Sequence, residues 1–293
     1  MKYEFILEHP EHPVAKWARK LKVSESGYYA WQAGKPGRTM REQKEKDLIR
    51  GIFEEADGSY GAGKIAGIIR VRGGHIGRDK VSRHMKDMGL SSIHNRRRYR
   101  SLTNSKKSRG KGYPNIFREE MFPIVPRMGL SSDITYLKSD EGFTYLCIIK
   151  DIVSGEVLGR YTSDRMTKEL VINAFLSMTA RYRLEPGCVF HSDRGSQYTS
   201  KAFRELVAMH SMRQSFSRVG VPGDNSWSES FFAIMKKEKF HWRHYKTRDH
   251  VKAVVFEYIE VLYNRKRAQK RFGYISPSQY YERLQINELS QVA

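Results

Sequence analysis

Cysteine is scarce: the 293-residue chain holds only Cys147 and Cys188. Two thiols build neither a disulfide framework nor a four-cysteine zinc site, and both sit in apolar stretches that predict core packing. There is no apolar run of about 18 residues, so no membrane partner is expected. The start of the chain carries no secretory apolar segment, which points to a cytoplasmic protein. Acidic charge is also short: 32 Asp and Glu stand against 53 Lys and Arg, a formal net charge of +21. Such a surplus favours a polyanionic partner, nucleic acid foremost. The length permits a sizeable core, two domains and small accessories.

Two enzyme signatures come close and fail. Gly58-Ser59-Tyr60-Gly61-Ala62-Gly63-Lys64 approaches a phosphate-binding loop, yet residue 65 is Ile instead of Ser or Thr. The preceding segment also reads as helix rather than strand, so no anion nest is expected there. A turn leading into a helix that buries Ile65, Ile68 and Ile69 is expected instead. Ser192 lacks the Gly-x-Ser-x-Gly setting of a nucleophile elbow.

The order of patterns suggests five segments. Residues 1–35 form a small helical unit, with Val14, Trp17, Ala18 and Leu21 at helical spacing and Ser24 as an N-cap. Pro36 and Gly37 end it. Residues 38–93 hold a charged amphipathic helix over 40–56, a Gly73-Gly74 turn and a basic helix over 78–88. Val81, Met85 and Met88 share one face of that last helix, and Arg83 is among the basic residues around it. This segment reads either as a helix-turn-helix with its second helix in a major groove or as a plain helical hairpin. Residues 94–125 are a basic linker. Arg96, Arg97, Arg98, Arg100, Lys106, Lys107, Arg109 and Lys111 occur within residues 94–111 without one acidic residue, a composition suited to following phosphates without reading bases.

From residue 128 the texture turns to strands. Ile134–Leu137, Phe143–Val153, Val157–Thr162, Cys188–Phe190 and Gln214–Ser217 read as strands. Lys168–Tyr182, 199–210, Asn225–Lys239 and 249–264 read as helices, and a tail follows. A hairpin-joined trio of strands followed by alternating helix and strand suggests a mixed α/β sheet covered by helices through residue 240. Residues 241–293 then add a C-terminal helix and tail.

Three carboxylates stand out in this basic chain. Asp133 lies ahead of the first strand and Asp193 just past a later one. Glu229 shares a helical face with Ala233 and Lys236, away from Trp227, Phe231, Ile234 and Met235. Carboxylate oxygens suit hard cations such as magnesium or manganese. Two such ions about 4 Å apart can activate an attacking oxygen and stabilise a departing one. Each residue also has a purely local reading. Asp133 and Asp193 fit turns, and Glu229 fits a capping box with Ser226. His191 is either a strand-end residue or a contact to a phosphate.

The motifs together resemble a family. Ser132-Asp133-Ile134-Thr135-Tyr136, His191-Ser192-Asp193-Arg194-Gly195-Ser196-Gln197-Tyr198, Asp224-Asn225 and Glu229-Ser230-Phe231-Phe232 occur in order, with Lys236 and Glu238 after them. Thirty-five residues separate Asp193 from Glu229. Tyr263-Asn264, Lys266-Arg267, Gly273-Tyr274, Ser276-Pro277 and Tyr280 follow. Upstream, Gly27-Tyr28-Tyr29, Ser59-Tyr60-Gly61 and Gly89-Leu90 fit as well. The set resembles the second-reading-frame transposases of bacterial insertion sequences, with a retroviral-integrase-like DDE core.

The resemblance implies a ribonuclease-H-like integrase catalytic core over residues 126–240. Asp133, Asp193 and Glu229 would be the catalytic ligands of two Mg2+ ions, with Mn2+ as a possible substitute. Lys236 would hold DNA near the site. The reactions would be strand cleavage by water and strand transfer by a 3′-hydroxyl, on double-stranded DNA at element ends and on target DNA. A first-frame protein or a frameshift fusion would supply end recognition, and the chain would work as a homo-oligomer on DNA in a bacterial cytoplasm. No zinc is expected, because the zinc-binding His and Cys set of retroviral integrases is missing. Three departures from the pattern occur: Ala62-Gly63-Lys64 where a bulkier, more basic group is common, Ser226 where Ala is common, and Gln269 where His is common. None removes a candidate ligand. The rival readings are a metal-dependent nuclease without strand transfer and a non-catalytic DNA-binding regulator of transposition.

Overall fold

The computed structural model describes residues 2–95, 113–120, 122–218 and 222–292. The chain opens with three short helices, α1 (Lys2–Glu8), α2 (Val14–Leu21) and α3 (Glu25–Ala33). Tyr3 of α1 meets Tyr28 and Trp31 of α3. Ser24 caps α3, accepting from the Gly27 N–H at 2.8 Å. The next helix, α4 (Lys35–Glu55), runs straight through Pro36 and Gly37, which the sequence reads as a stop. Proline in a first helical turn loses no hydrogen bond, since that N–H has no partner there.

α5 (Ala62–Val71) and α6 (Arg78–Asp87) fold back on α4. Their shared core includes Ile49, Ile52, Ile65, Ile69 and Val81, each fully buried. Each such side chain contributes roughly 1.5–3 kcal/mol. Gly73 takes φ +85° in the turn between α5 and α6, a left-handed conformation that suits glycine. The near phosphate-binding loop leads into α5 from extended Gly61, with α4 before it and no strand.

A short α7 (Ile116–Glu119) then packs Phe117 near the sheet, stacked on His191. It lies within the stretch read as linker. The sheet has five strands: β1 (Gly129–Ser139), β2 (Gly142–Asp151), β3 (Val157–Ser163), β4 (Val189–Ser192) and β5 (Arg213–Phe216). Their spatial order is β3-β2-β1-β4-β5. β1, β2 and β3 are antiparallel neighbours, whereas β4 runs parallel to β1 and β5 parallel to β4. This is the mixed sheet expected, covered on both faces.

On one face lie α8 (Lys168–Thr179), α9 (Ser196–Thr199) and α10 (Lys201–Met209), closing over Leu130, Cys147, Phe175, Phe190 and Phe203. Cys147 and Cys188 are buried free thiols in that core. On the other face lie α11 (Ser226–Met235) and α12 (Arg248–Phe256), which pack Phe231, Met235, Val251 and Val255 on Leu146 and Ile148. Each continues as a π-helical segment, Lys236–Phe240 after α11 and Glu257–Tyr263 after α12.

The expected tail is instead a helix, α13 (Pro277–Val292). A reciprocal cap starts it. The Ser276 N–H donates to Gln279 Oε1 at 3.0 Å, and the Gln279 N–H donates to Ser276 Oγ at 3.4 Å. Among the described residues no helix is long and apolar enough to cross a membrane.

The helical front is seated on the C-terminal part of the chain. Ala268 enters the core of α4, α5 and α6, and its N–H donates to Tyr60 Oη at 2.9 Å. The Tyr274 ring lies over Gly67, where an added Cβ would stand 2.4 Å from it. Glu238, in the π-helical segment after α11, meets His94 Nε2 at 3.1 Å, accepts from Tyr258 Oη at 2.8 Å and accepts from Arg267 Nη2 at 2.8 Å.

Candidate active site

Strand pairing brings the two aspartates together. Gly129, Leu130 and Ser131 of β1 pair with Val189, Phe190 and His191 of β4 in parallel register. Carried two residues further, that register sets Asp133 beside Asp193, on strands about 4.8 Å apart. Asp133 is the fifth residue of β1, inside the strand rather than ahead of it. The sequence hides this because Ser131 and Ser132 look like turn residues. Both are fully buried. Ser132 Oγ donates to the Ile148 carbonyl at 2.8 Å, and Ser131 Oγ bonds to α11.

Alternation along β1 puts Asp133 on the same face as Ser131 and Leu137, the face covered by α11. Glu229 stands in the first turn of α11, next to Ser228, whose Oγ is 2.6 Å from Ser131 Oγ on β1. Its helix begins at Ser226, with Asn225 as the cap residue, so Ser226 is not placed to form the expected capping box. Glu229 makes no hydrogen bond or ion pair among the described residues. Both aspartates do serve locally. Asp133 Oδ1 accepts from the Ile134 N–H at 2.8 Å and Asp193 Oδ1 from the Gly195 N–H at 2.9 Å. Each bond fixes one oxygen of its carboxylate.

The electrostatics join these groups. Burial pushes the Asp133 carboxyl up to about 7, and the charges of Asp193 and Glu229 add to the rise, against the Ile134 hydrogen bond and Lys236. Asp193 and Glu229 are also raised, both by burial, although both side chains open to solvent at the rim. Lys236 is lowered by burial and held up by Asp133, with its Nζ 4.9 Å from the centre of the Tyr136 ring. Three carboxylates that resist ionisation in one place, beside one cation, form a set that a divalent ion would relieve. Hard oxygen donors fit magnesium or manganese.

Other candidates separate from this group. His191 is internal, not a phosphate contact: it is fully buried. Its Nδ1 is 2.8 Å from Ser215 Oγ and its Nε2 3.1 Å from Ser217 Oγ. Burial lowers it to about 4, so it is neutral near pH 7. It takes the strand-end reading because Phe117 stacks on its ring and Ser215 and Ser217 meet both ring nitrogens. Arg83 is exposed on α6, away from buried Val81 and Met85. Arg96, Arg97, Arg98, Arg100, Lys106, Lys107, Arg109 and Lys111 lie outside the described residues.

Lys150 was not legible as part of this region. It is a buried lysine of β2 whose Nζ donates to the Trp227 carbonyl at 3.1 Å, in the first turn of α11. The only sequence signal is a lysine directly after the apolar run Leu146 to Ile149.

Comparison with known proteins places this geometry. Residues 126–222 match an integrase core domain, residues 229–284 match a second integrase core domain description, and residues 40–98 match an HTH-like domain. The transposase InsF for insertion sequence IS3A of Escherichia coli is 31% identical, covering 96% of this chain and 98% of its own. An uncharacterized 31 kDa protein of insertion element IS600 from Shigella sonnei is 33% identical, covering 89% of this chain and 96% of its own. The transposase for insertion sequence element IS904 of Lactococcus lactis is 31% identical, covering 83% and 97%.

Proposed function

Since the chain belongs to the insertion-sequence transposases built on an integrase core, we propose that Asp133, Asp193 and Glu229 hold two Mg2+ ions and that the site cuts and joins DNA strands. The observation that carries this reading is the β1–β4 register, which brings Asp133 beside Asp193, together with the raising of buried Asp133 by the charges of Asp193 and Glu229. Bound ions of this kind activate an attacking oxygen and neutralise charge on the phosphate under attack. The ion pair could be Mn2+ as well, because the donor set is all carboxylate oxygen.

The protein's own part is placement. The Ile134 and Gly195 N–H groups each tie down one oxygen of an aspartate, which orients the other for a ligand. Lys236 offers its ammonium next to Asp133, where a DNA phosphate would approach. Water as nucleophile gives strand cleavage and a DNA 3′-hydroxyl gives strand transfer. Both are in-line phosphoryl transfers that need no covalent bond to the protein.

The helical front supplies a basic surface on double-stranded DNA, with Arg83 on α6 touching phosphates and the arm from Arg96 to Lys111 following the backbone. A first-frame protein or frameshift fusion supplies recognition of the element ends. The chain acts as a homo-oligomer on DNA in a bacterial cytoplasm.

The test incubates labelled element-end duplex and target plasmid with Mg2+ and the chain, alone and as its frameshift fusion. Joined products are expected, and Asp193→Asn should lower their yield more than about 100-fold, beyond the usual effect of a residue that merely supports a ligand. Cleavage without any joined product would favour the nuclease reading. Full activity of Asp193→Asn would remove Asp193 from the site.

A further inference from the structure

We propose that Asn225 is a positioning residue of the site, fixing the distance between the strand that carries Asp133 and the helix that carries Glu229. The inference rests on the reading of those carboxylates as metal ligands.

Asn225 ends a 3-10 turn, Pro222–Asn225, and stands at the N-cap of α11. An asparagine there ordinarily accepts from an N–H of the first helical turn. This one does not: α11 has no side-chain cap bond. The amide is turned the other way, into the sheet, and is 5% exposed. Its Oδ1 accepts from Ser131 Oγ at 2.7 Å, and its Nδ2 donates to the Ser132 carbonyl at 3.1 Å.

That carbonyl belongs to the peptide bond joining Ser132 to Asp133. One planar amide therefore grips the backbone immediately before one candidate ligand from the residue that starts the helix of another. Ser131 Oγ also meets Ser228 Oγ at 2.6 Å, next to Glu229. The whole network is buried, so its bonds are not exchanged for water. A helix start that leaves its cap unfilled in favour of two bonds to β1 is organised around the gap between β1 and α11. Metal ligands need that gap held closely, since supporting groups typically set affinity by 10–100-fold.

Direct Mn2+ binding tests this, read by electron paramagnetic resonance titration of the full chain without DNA. Circular dichroism and thermal melting run in parallel. Asn225→Ala should weaken Mn2+ affinity about 10–100-fold. Ser131→Ala, which strips Oδ1 of its donor, should weaken it several-fold and serves if Asn225→Ala does not fold. Ser228→Ala removes a hydroxyl of the same network but leaves both Asn225 bonds. It should weaken Mn2+ affinity less than Asn225→Ala does, whatever it does to the melting temperature.

Asp193→Asn is the reference. Loss of Mn2+ binding in Asp193→Asn with wild-type affinity in Asn225→Ala overturns the positioning role while the ligand reading stands. Wild-type affinity in Asp193→Asn overturns the ligand reading, and this inference with it. Equal weakening in Asn225→Ala and Ser228→Ala, tracking their melting temperatures, reduces Asn225 to a stabilising residue and also overturns the proposal.

Discussion

Arg267 grips Glu238 through two nitrogens, Nη2 at 2.8 Å and Nε at 3.1 Å, and both side chains are sealed from solvent. Glu238 stands two residues beyond Lys236 on the helical run that begins with α11. His94 reaches the same carboxylate from the end of the helical front, and the Lys237 ammonium donates to the His94 carbonyl at 3.0 Å. One buried charge pair thus lies where the helical front, the α11 run and the C-terminal segment meet.

Glu238→Gln leaves the Arg267 cation buried without its counter-charge and should cost about 3–5 kcal/mol in denaturant unfolding. Glu238→Leu combined with Arg267→Met should cost clearly less than Glu238→Gln. If the double variant is as unstable as the single one, the pair is not the source of the loss.

The same carboxylate gives an acid limit. Burial would raise it, but His94, Arg267 and Tyr258 outweigh burial and hold it down to about 2. The unfolded chain would take up that proton near pH 4. A group with a lowered folded value stabilises above the unfolded value and loses that contribution as pH falls through the folded one. Stability should therefore drop between about pH 4 and pH 2. Melting curves of Glu238→Gln should show less of that drop than the wild type.

Asp133 has the opposite sign. Its folded value of about 7 lies above the unfolded value near 4, so the folded state keeps a proton that the unfolded chain has released. Without metal, stability should fall as pH rises from about 4 to 7 and stay low above that. Asp133→Asn should raise the melting temperature of the metal-free protein at pH 8 and change it little at pH 4. Equal effects at both pH values would contradict the shift. Mg2+ should stabilise the wild type at pH 8 and not the variant, because a ligand that binds only the folded state raises its stability.

Gly67→Ala sets two effects against each other. Alanine gains up to about 1 kcal/mol of helix propensity within α5. Its Cβ would, however, stand 2.4 Å from the Tyr274 ring. The ring must move, and Tyr274 already sits at φ +67° next to Gly273. We expect net destabilisation, and limited proteolysis should open the segment after Ala268 first. A stabilised variant would show that the ring yields freely.

Arg83→Ala should lower the salt slope of duplex binding by about 1 and weaken unrelated sequences alike. Loss confined to one sequence would make Arg83 a reader of bases instead of a phosphate contact.

Much of the fold is legible because hydrophobic period and turns agree: each strand is anticipated, four within a few residues and β1 only in its second half. The misses have local causes. The first strand reads as starting only at Ile134, yet Ser131 and Ser132, buried hydroxyls with partners, already belong to it. Pro36 read as a terminator, although it lies in a first helical turn. Residues 277–292 read as tail because the Ser276–Gln279 cap that starts the helix is two isolated polar residues in the sequence. In the site, residue type and spacing pointed to Asp133, Asp193 and Glu229, and the register of β1 and β4 is what sets the first two side by side. In the sequence Asn225 stands out only as a motif residue and a helix start, and Lys150 does not stand out, because each acts through contacts to residues far away in sequence.

The pairing of β1 with β4 also determines where this protein can tolerate a change of length. Asp133 and Asp193 are side by side only because each stands the same number of residues beyond a paired start, Gly129 with Val189. Extra residues at the turn after Ser139, between Asp151 and Val157, or between Ser163 and Lys168 would lengthen connections and leave both aspartates in place. A single deletion between Gly129 and Asp133 would swing the first aspartate to the opposite side of the sheet, among the apolar residues beneath α8. Two five-residue windows therefore carry a strict length requirement for the site, whereas the connections between the intervening strands and helix carry little.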